Sequence, residues 1–184
     1  MPASGNAPWG WHRLTPTWAD RLVADAGVAP GDLVVDIGAG TGALTAPLVA
    51  AGARVIAVEL HPRRVAALRA RFADADVTVV RADASDLRLP RRPFRVVANP
   101  PFAVTTQILT RLLSPGSRLV HADLVVQRAA ARRWAAGRAP GAGRWSRDYR
   151  LGIGRRVPRS AFDPRPTVDC VTLQVRRTGP VIRR

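Results

Sequence analysis

The apolar positions of the chain fall into short runs of alternating kind. Residues 33–37 form a β-rich, near-continuous apolar run, broken only by Asp36 and halted by glycines, the pattern of a buried strand. Residues 54–58, 77–80, 94–98 and 119–126 repeat that pattern, and 151–157 and 168–175 are two further strand candidates. Between them the period changes to that of helices. Residues 18–26 end at Gly27, 43–51 end at Gly52, and 62–72 open with proline in the first turn; 105–113 and 128–136 complete the set. Strands alternating with helices predict βαβ units, hence an α/β protein with a mainly parallel, seven-stranded sheet. Because the strands are apolar almost throughout, helices are expected on both faces. In such folds ligands bind beyond the carboxyl ends of the strands. Residues 1–13 read as an irregular arm, 137–150 as a mobile basic loop without apolar period, and 176–184 as a basic tail. There is no internal repeat and no second apolar core, so one domain is expected over residues 1–184.

Composition narrows the chemistry. At 184 residues the chain suits one domain with a real core. A single cysteine, Cys170, excludes an internal disulfide, and His12, His61 and His121 lack metal-ligand spacing, so no metal is expected. The N-terminus has no apolar run of signal length, and no stretch reaches the ~18 apolar residues of a membrane span. A cytoplasmic protein without a membrane partner is therefore expected. The net charge is +16, carried entirely by arginine. Residues 1–120 hold 14 Arg against 9 acids, while 121–184 hold 15 Arg against 4 acids. A basic C-terminal third points to a polyanion, nucleic acid before an acidic membrane.

The first strand runs into Asp36-Ile37-Gly38-Ala39-Gly40-Thr41-Gly42, which opens a helix. Glycines there let a turn approach a ligand that a Cβ would strike. Alone, such a loop suits a nicotinamide, a flavin, S-adenosylmethionine, or no ligand at all. Glu59, the only glutamate, ends the second strand 21 residues after Gly38, where a carboxylate can accept from both ribose hydroxyls. The plainer alternative is a surface acid beside Arg63. Asp83 follows the third strand and can accept from an adenine amino group, or simply cap a turn. Asp36 can hold a cofactor's ammonium, directly or through water, or merely fix the turn.

Asn99-Pro100-Pro101-Phe102 ends the fourth strand, at the methyl end of an S-adenosylmethionine in this arrangement, and a nicotinamide enzyme has no use for it. An exocyclic amine is flat, and its lone pair is delocalised. The Asn99 side-chain oxygen and the Pro100 carbonyl can accept its two N–H bonds, aim the lone pair and stabilise the developing charge. Phe102 offers a face to a planar target. Adenine N6, guanine N2 and a protein glutamine all satisfy this chemistry.

The motifs in order resemble one family. Asp36 to Thr45, Val58-Glu59-Leu60, Ala82-Asp83-Ala84, Asn99 to Phe102, Val126-Gln127 and Val157 to Asp169 together resemble the rRNA adenine N6-methyltransferases. These comprise the small-subunit dimethyladenosine transferases and the erythromycin-resistance (Erm) enzymes of 23S rRNA. The Phe-x-Pro-x-Pro-x-Val-Asp stretch, Phe162 to Asp169, is the most discriminating part. The resemblance implies a class I S-adenosylmethionine-dependent methyltransferase acting on an adenine of 23S rRNA and conferring macrolide-lincosamide-streptogramin B resistance. It implies cofactor contacts at His12, Leu14, Asp36, Gly38, Gly40, Glu59, Leu60, Asp83, Ala84 and Asn99, with Asn99, Pro100 and Phe102 at the target amine, and Phe162 on the RNA side. No obligate protein partner is expected.

Three departures stand out. Pro100 takes a place usually held by Leu or Ile. Trp11-His12-Arg13-Leu14 stands where the family has Gln-Asn-Phe-Leu. The sequence runs to Arg184, and the expectation is a short Erm-type enzyme without the family's helical C-terminal domain. The expectation drawn from this is that Arg128, Arg132, Arg133, Arg138, Arg144, Arg147 and Arg150, with Trp134 and Trp145 stacking on bases, take over RNA binding; the plainer alternative is an amphipathic helix whose Arg face is solvated and whose Trp134 is core. Competing readings are a small-subunit dimethyltransferase, a release-factor glutamine or DNA adenine methyltransferase, and a noncatalytic RNA-binding protein.

Overall fold

The alternation of runs becomes one twisted sheet with helices packed on each side. The computed structural model describes residues 12–179. In chain order these form β1 (Arg13–Leu14), α1 (Pro16–Ala26), β2 (Leu33–Ile37), α2 (Thr45–Ala50), β3 (Arg54–Glu59), α3 (Pro62–Arg71), β4 (Val77–Arg81), β5 (Phe94–Ala98), α4 (Thr105–Leu112), β6 (Leu119–Gln127), α5 (Arg128–Ala135), α6 (Ala142–Trp145), β7 (Tyr149–Val157), β8 (Phe162–Asp163) and β9 (Cys170–Arg177). The main sheet has the order β4-β3-β2-β5-β6-β9-β7. The first five strands are parallel; β9 runs antiparallel between β6 and β7. The expected seven-stranded, mainly parallel α/β sheet is thus present.

Alternation along the strands explains the two-sided packing. Val35, Val96, Leu124 and Val126 belong to one core with α4 (Ile108, Leu109) and α5 (Ala131, Trp134). Their neighbours Val34, Val97 and Val125 point the other way, onto Leu22 and Val23 of α1 and Leu48 of α2. Successive strand side chains face opposite sides, so a strand covered on both faces is apolar at nearly every position, and a polar side chain there, such as Asp36, needs a partner. All five residues of β2 are buried accordingly.

Three sequence expectations change. Residues 137–150 are not a mobile loop: they contain α6 and the start of β7, and both Trp145 and Tyr149 are buried. Gly and Arg separate these aromatics, which hides the anchoring from any periodicity. The expected tail begins too early. β9 continues to Arg177, whose Nε donates to the Leu119 carbonyl at 2.8 Å and whose guanidinium lies 4.5 Å from the Tyr149 ring centre. The expected arm over residues 1–13 lies outside the described residues up to residue 11, but Arg13 and Leu14 are extended, paired antiparallel with Asp163 and Phe162.

Candidate active site

The carboxyl ends of the parallel strands open onto a cavity of about 730 Å³, a size ordinary for a cofactor site. Each strand end contributes what its sequence carries. β2 delivers Gly38, β3 delivers Val58, Glu59 and Leu60, β4 leads to Asp83 and Ala84, and β5 delivers Asn99, Pro100 and Phe102. The structure therefore gathers most of the expected site residues around one space.

Gly38 sits in the left-handed region at φ 75°. A Cβ there would stand 3.1 Å from Pro101 Cδ and 3.5 Å from Pro100 Cα, so the β2 turn and the Asn99–Phe102 segment approach each other only because the side chain is missing. Behind this turn, the Gly40 N–H donates to Glu59 Oε2 at 2.8 Å, while the His61 N–H donates to Oε1 at 2.8 Å. Glu59 is 6% exposed, which excludes the surface-acid reading. Arg64, on the first turns of α3, brings Nη1 within 4.0 Å of Oε1. It was missed by sequence reasoning, which had paired Glu59 with Arg63; helix phase turns Arg64 inward and leaves Arg63 exposed. Each Glu59 oxygen still has a lone pair for a hydroxyl. Leu60, 41% exposed, offers an apolar face beside it.

Asp83 both caps and lines. Its Oδ1 accepts from the Ser85 N–H (2.8 Å) and hydroxyl (2.7 Å), fixing the turn Ala84–Asp86. Those bonds, the backbone one first, hold its carboxyl below the usual carboxylate range. Asp36 is different: it is 1% exposed, and its Oδ2 accepts from the Thr45 hydroxyl at 2.7 Å. Burial pushes its carboxyl up to about 7, opposed by Thr45 and reinforced by the charge of Glu59. Asp36 and Leu14 border a separate cavity of about 20 Å³, room for about one water, which Gly38 and Asn99 also line.

Asn99 is fixed by the N-terminal arm. Its Nδ2 donates to the His12 carbonyl at 2.6 Å, so its Oδ1 is the end left to accept. His12 in turn donates from Nδ1 to the Pro164 carbonyl at 2.9 Å, and its ring stacks on Phe102 with centroids 5.8 Å apart. Pairing of β1 with β8 and a bond from the Thr15 N–H to the Ala161 carbonyl (2.8 Å) complete the strap.

The expected RNA-facing residues divide. Arg128, Arg132, Arg133, Arg138, Arg144, Arg147 and Arg150 are all exposed. The aromatics are not. Trp134 is 0% exposed and Trp145 7%, with ring centroids 5.9 Å apart in the core under α5. Phe162 is 2% exposed and packs in the core on the α1 side. None of the three presents a face to RNA. An amphipathic helix carrying arginines on one side requires an apolar anchor on the other, and Trp134 is that anchor. No group of His, Cys, Asp or Glu among the described residues could hold a metal, and no helix there is long and apolar enough to cross a membrane.

Comparison with known proteins agrees with this architecture. Residues 14–182 match the model of the family described as ribosomal RNA adenine dimethylase. The chain is 39% identical over 148 residues to the rRNA adenine N-6-methyltransferase of Corynebacterium diphtheriae, covering 79% of this chain and 58% of the relative. It is 42% identical over 154 residues to the mycinamicin-resistance protein MyrB of Micromonospora griseorubida, covering 81% and 48%. It thus spans about half the length of these relatives. The crystal structure of the 23S rRNA methyltransferase ErmE superposes with a TM-score of 0.77 at 28% identity, over 94% of this chain and 72% of that one. The fold is that of the class I S-adenosylmethionine-dependent methyltransferases, and the chain belongs to the ribosomal RNA adenine dimethylase family.

Proposed function

We propose that this protein transfers a methyl group from S-adenosylmethionine to N6 of an adenine in the peptidyl-transferase loop of 23S rRNA, in the cytoplasm, and so confers macrolide-lincosamide-streptogramin B resistance. The observation that carries the reading is the orientation of Asn99. With Nδ2 committed to the His12 carbonyl, Oδ1 is left to accept from an amine at the cavity's edge.

The residues fit the cofactor. Gly38 lines the cavity and lets the β2 turn sit against Pro100 and Pro101, where a Cβ would press on them, and the fixed Glu59 carboxylate keeps two lone pairs for ribose hydroxyls. Leu60, Asp83 and Ala84 line the adenine end, and Gly40 acts through Glu59. Asp36 and Leu14 act from the small cavity, through about one water. S-adenosylmethionine, when bound, supplies an electrophilic methyl group.

Asn99 Oδ1 and the Pro100 carbonyl accept the two N–H bonds of the target amine, turning its lone pair toward the methyl group and stabilising the positive charge that grows on nitrogen. Phe102 stacks on the base. Stacking of this kind is worth ~1–3 kcal/mol, comparable with the few kcal/mol needed to extrude a loop base. The amine loses its proton after charge has developed, so the site needs no strong base. The exposed arginines of α5 hold the RNA backbone. α5 starts at the carboxyl end of β6, which lies parallel to β5 and therefore beside Asn99.

Labelled-methyl transfer to a 23S rRNA transcript, followed by primer extension through the peptidyl-transferase loop, tests the reading. A stop at the macrolide-site adenine, absent with Asn99→Ala, is the expected result. Cofactor binding without any transfer to that RNA would reject it. The family description favours one second reading, dimethylation of small-subunit rRNA. A 16S rRNA transcript in the same assay separates the two.

A further inference from the structure

The base site described above is already filled by a side chain of the protein itself. Phe102 is partly buried, with its ring against the core on the α1 side, and the His12 ring lies over it at 5.8 Å, tilted by 25°. A base sandwiched between two rings needs two van der Waals spacings of about 3.5 Å, or about 7 Å in all. The gap is too small. An adenine stacking on Phe102 must therefore take the place that the His12 ring occupies.

Two further contacts make this an organised arrangement. His12 Nδ1 donates to the Pro164 carbonyl at 2.9 Å, which fixes the ring's orientation. The His12 backbone carbonyl accepts from Asn99 Nδ2 at 2.6 Å. Ring and backbone thus do separate jobs. The side chain can swing off Phe102 about its own torsions while the carbonyl continues to orient Asn99.

We propose that His12 is the gate of the target-base site: its ring stands in for the adenine on Phe102 until RNA delivers a flipped base that displaces it. The inference rests on the adenine-methylating reading above. The displaced ring costs the RNA-bound state one aromatic pair and one hydrogen bond, so the gate raises the KM for RNA. It also keeps Phe102 covered when only cofactor is bound.

Two variants of the full chain separate gating from structural support. His12→Asn keeps a donor for the Pro164 carbonyl and removes the ring. His12→Phe keeps a ring on Phe102 and removes the donor. Steady-state methylation of a stem-loop RNA with one loop adenine should give a KM lowered by up to about tenfold for His12→Asn, the size of one aromatic pair. The KM of His12→Phe should not fall. A purely structural His12 predicts no fall in KM for either variant, with His12→Asn near wild type. In parallel, the ring protons of His12, assigned from the signals missing in His12→Asn, should lose their Phe102 ring-current shift when the stem-loop RNA is added to wild-type protein. Wild-type methylation with an unchanged His12 signal would overturn the gate alone. No methylation of any adenine-bearing RNA would overturn the reading beneath it, and the gate with it.

Discussion

The buried carboxylate of Asp36 makes the stability of this fold depend on pH in a direction opposite to ordinary acid unfolding. Asp36 is 1% exposed, and burial pushes its carboxyl from 3.8 to about 7, with the Thr45 hydroxyl at 2.7 Å opposing the shift and Glu59 adding to it. Below 3.8 the group is protonated in both folded and unfolded chains and contributes no difference. Between 3.8 and about 7 the unfolded chain ionises while the folded chain keeps its proton, so stability falls by ~1.4 kcal/mol per pH unit. Above about 7 the loss is complete and constant. Over the whole window it amounts to ~4 kcal/mol, and between pH 5 and pH 8 to ~3 kcal/mol.

Asp36→Asn removes the titration and keeps an acceptor for the Thr45 hydroxyl. Urea unfolding of both proteins at pH 5 and pH 8 measures the effect as a difference of differences. This cancels groups such as Asp25 and Asp83, whose lowered carboxyls push stability the other way in both chains. Wild type should lose ~3 kcal/mol more than Asp36→Asn between the two pH values, about 6–12 °C in melting temperature for a chain of this size. Thr45→Val, which deletes the opposing hydroxyl, should move the window to higher pH. Equal losses in wild type and Asp36→Asn would refute the reasoning, because the buried carboxylate would then be ionised at no cost.

Other outcomes follow from the same geometry. Gly38→Ala places a methyl 3.1 Å from Pro101 Cδ at a φ of 75°, a strain of ~1–3 kcal/mol; isothermal titration should find S-adenosylmethionine binding weakened about tenfold or more in a protein that still folds. Trp145→Ala should destabilise by ~3–5 kcal/mol in urea unfolding, as expected of a buried aromatic anchor, whereas Trp145→Phe should bind RNA like wild type. Arg128, Arg132 and Arg133 together changed to Gln should flatten the salt dependence of RNA affinity by ~2 log units per log unit of salt; an unchanged slope would remove α5 from the RNA surface.

The sheet and its ligand end were legible because they rest on local rules. Near-continuous apolar strands announce burial on two faces, and the glycines after β2, the acid that ends β3 and the Asn-Pro-Pro-Phe after β5 sit where any parallel sheet would gather them. What escaped depended on helix phase or on contacts remote in sequence. Arg64 rather than Arg63 reaches Glu59, because one residue turns a helix by about 100°. Trp134 and Trp145 carried the right residue type for stacking on bases, yet they pack against each other in the core with their rings tilted by 33°. Composition shows that a helix is basic; only packing decides which of its residues meet solvent.

The Phe162–Asp169 stretch shows why a diagnostic motif need not touch the substrate. β7 and β9 are antiparallel, and Val157 and Cys170 stand opposite each other, with Cys170 also opposite Gln127. The connection of residues 158–169 therefore lies at the carboxyl end of β6, the same end as the cavity. A parallel crossover at this edge would have returned the chain to the far end of the sheet. The antiparallel reversal delivers Ala161, Phe162 and Pro164 to the site, where they hold the N-terminal arm by backbone pairing with Thr15 and Leu14 and through the Pro164 carbonyl, which accepts from the His12 side chain. That arm fixes the amide of Asn99. The buried Phe162 ring supplies the apolar hold for a two-residue strand pair too short to persist alone. The motif thus acts on the chemistry through three links, from Phe162 to the arm, from the arm to Asn99, and from Asn99 to the amine.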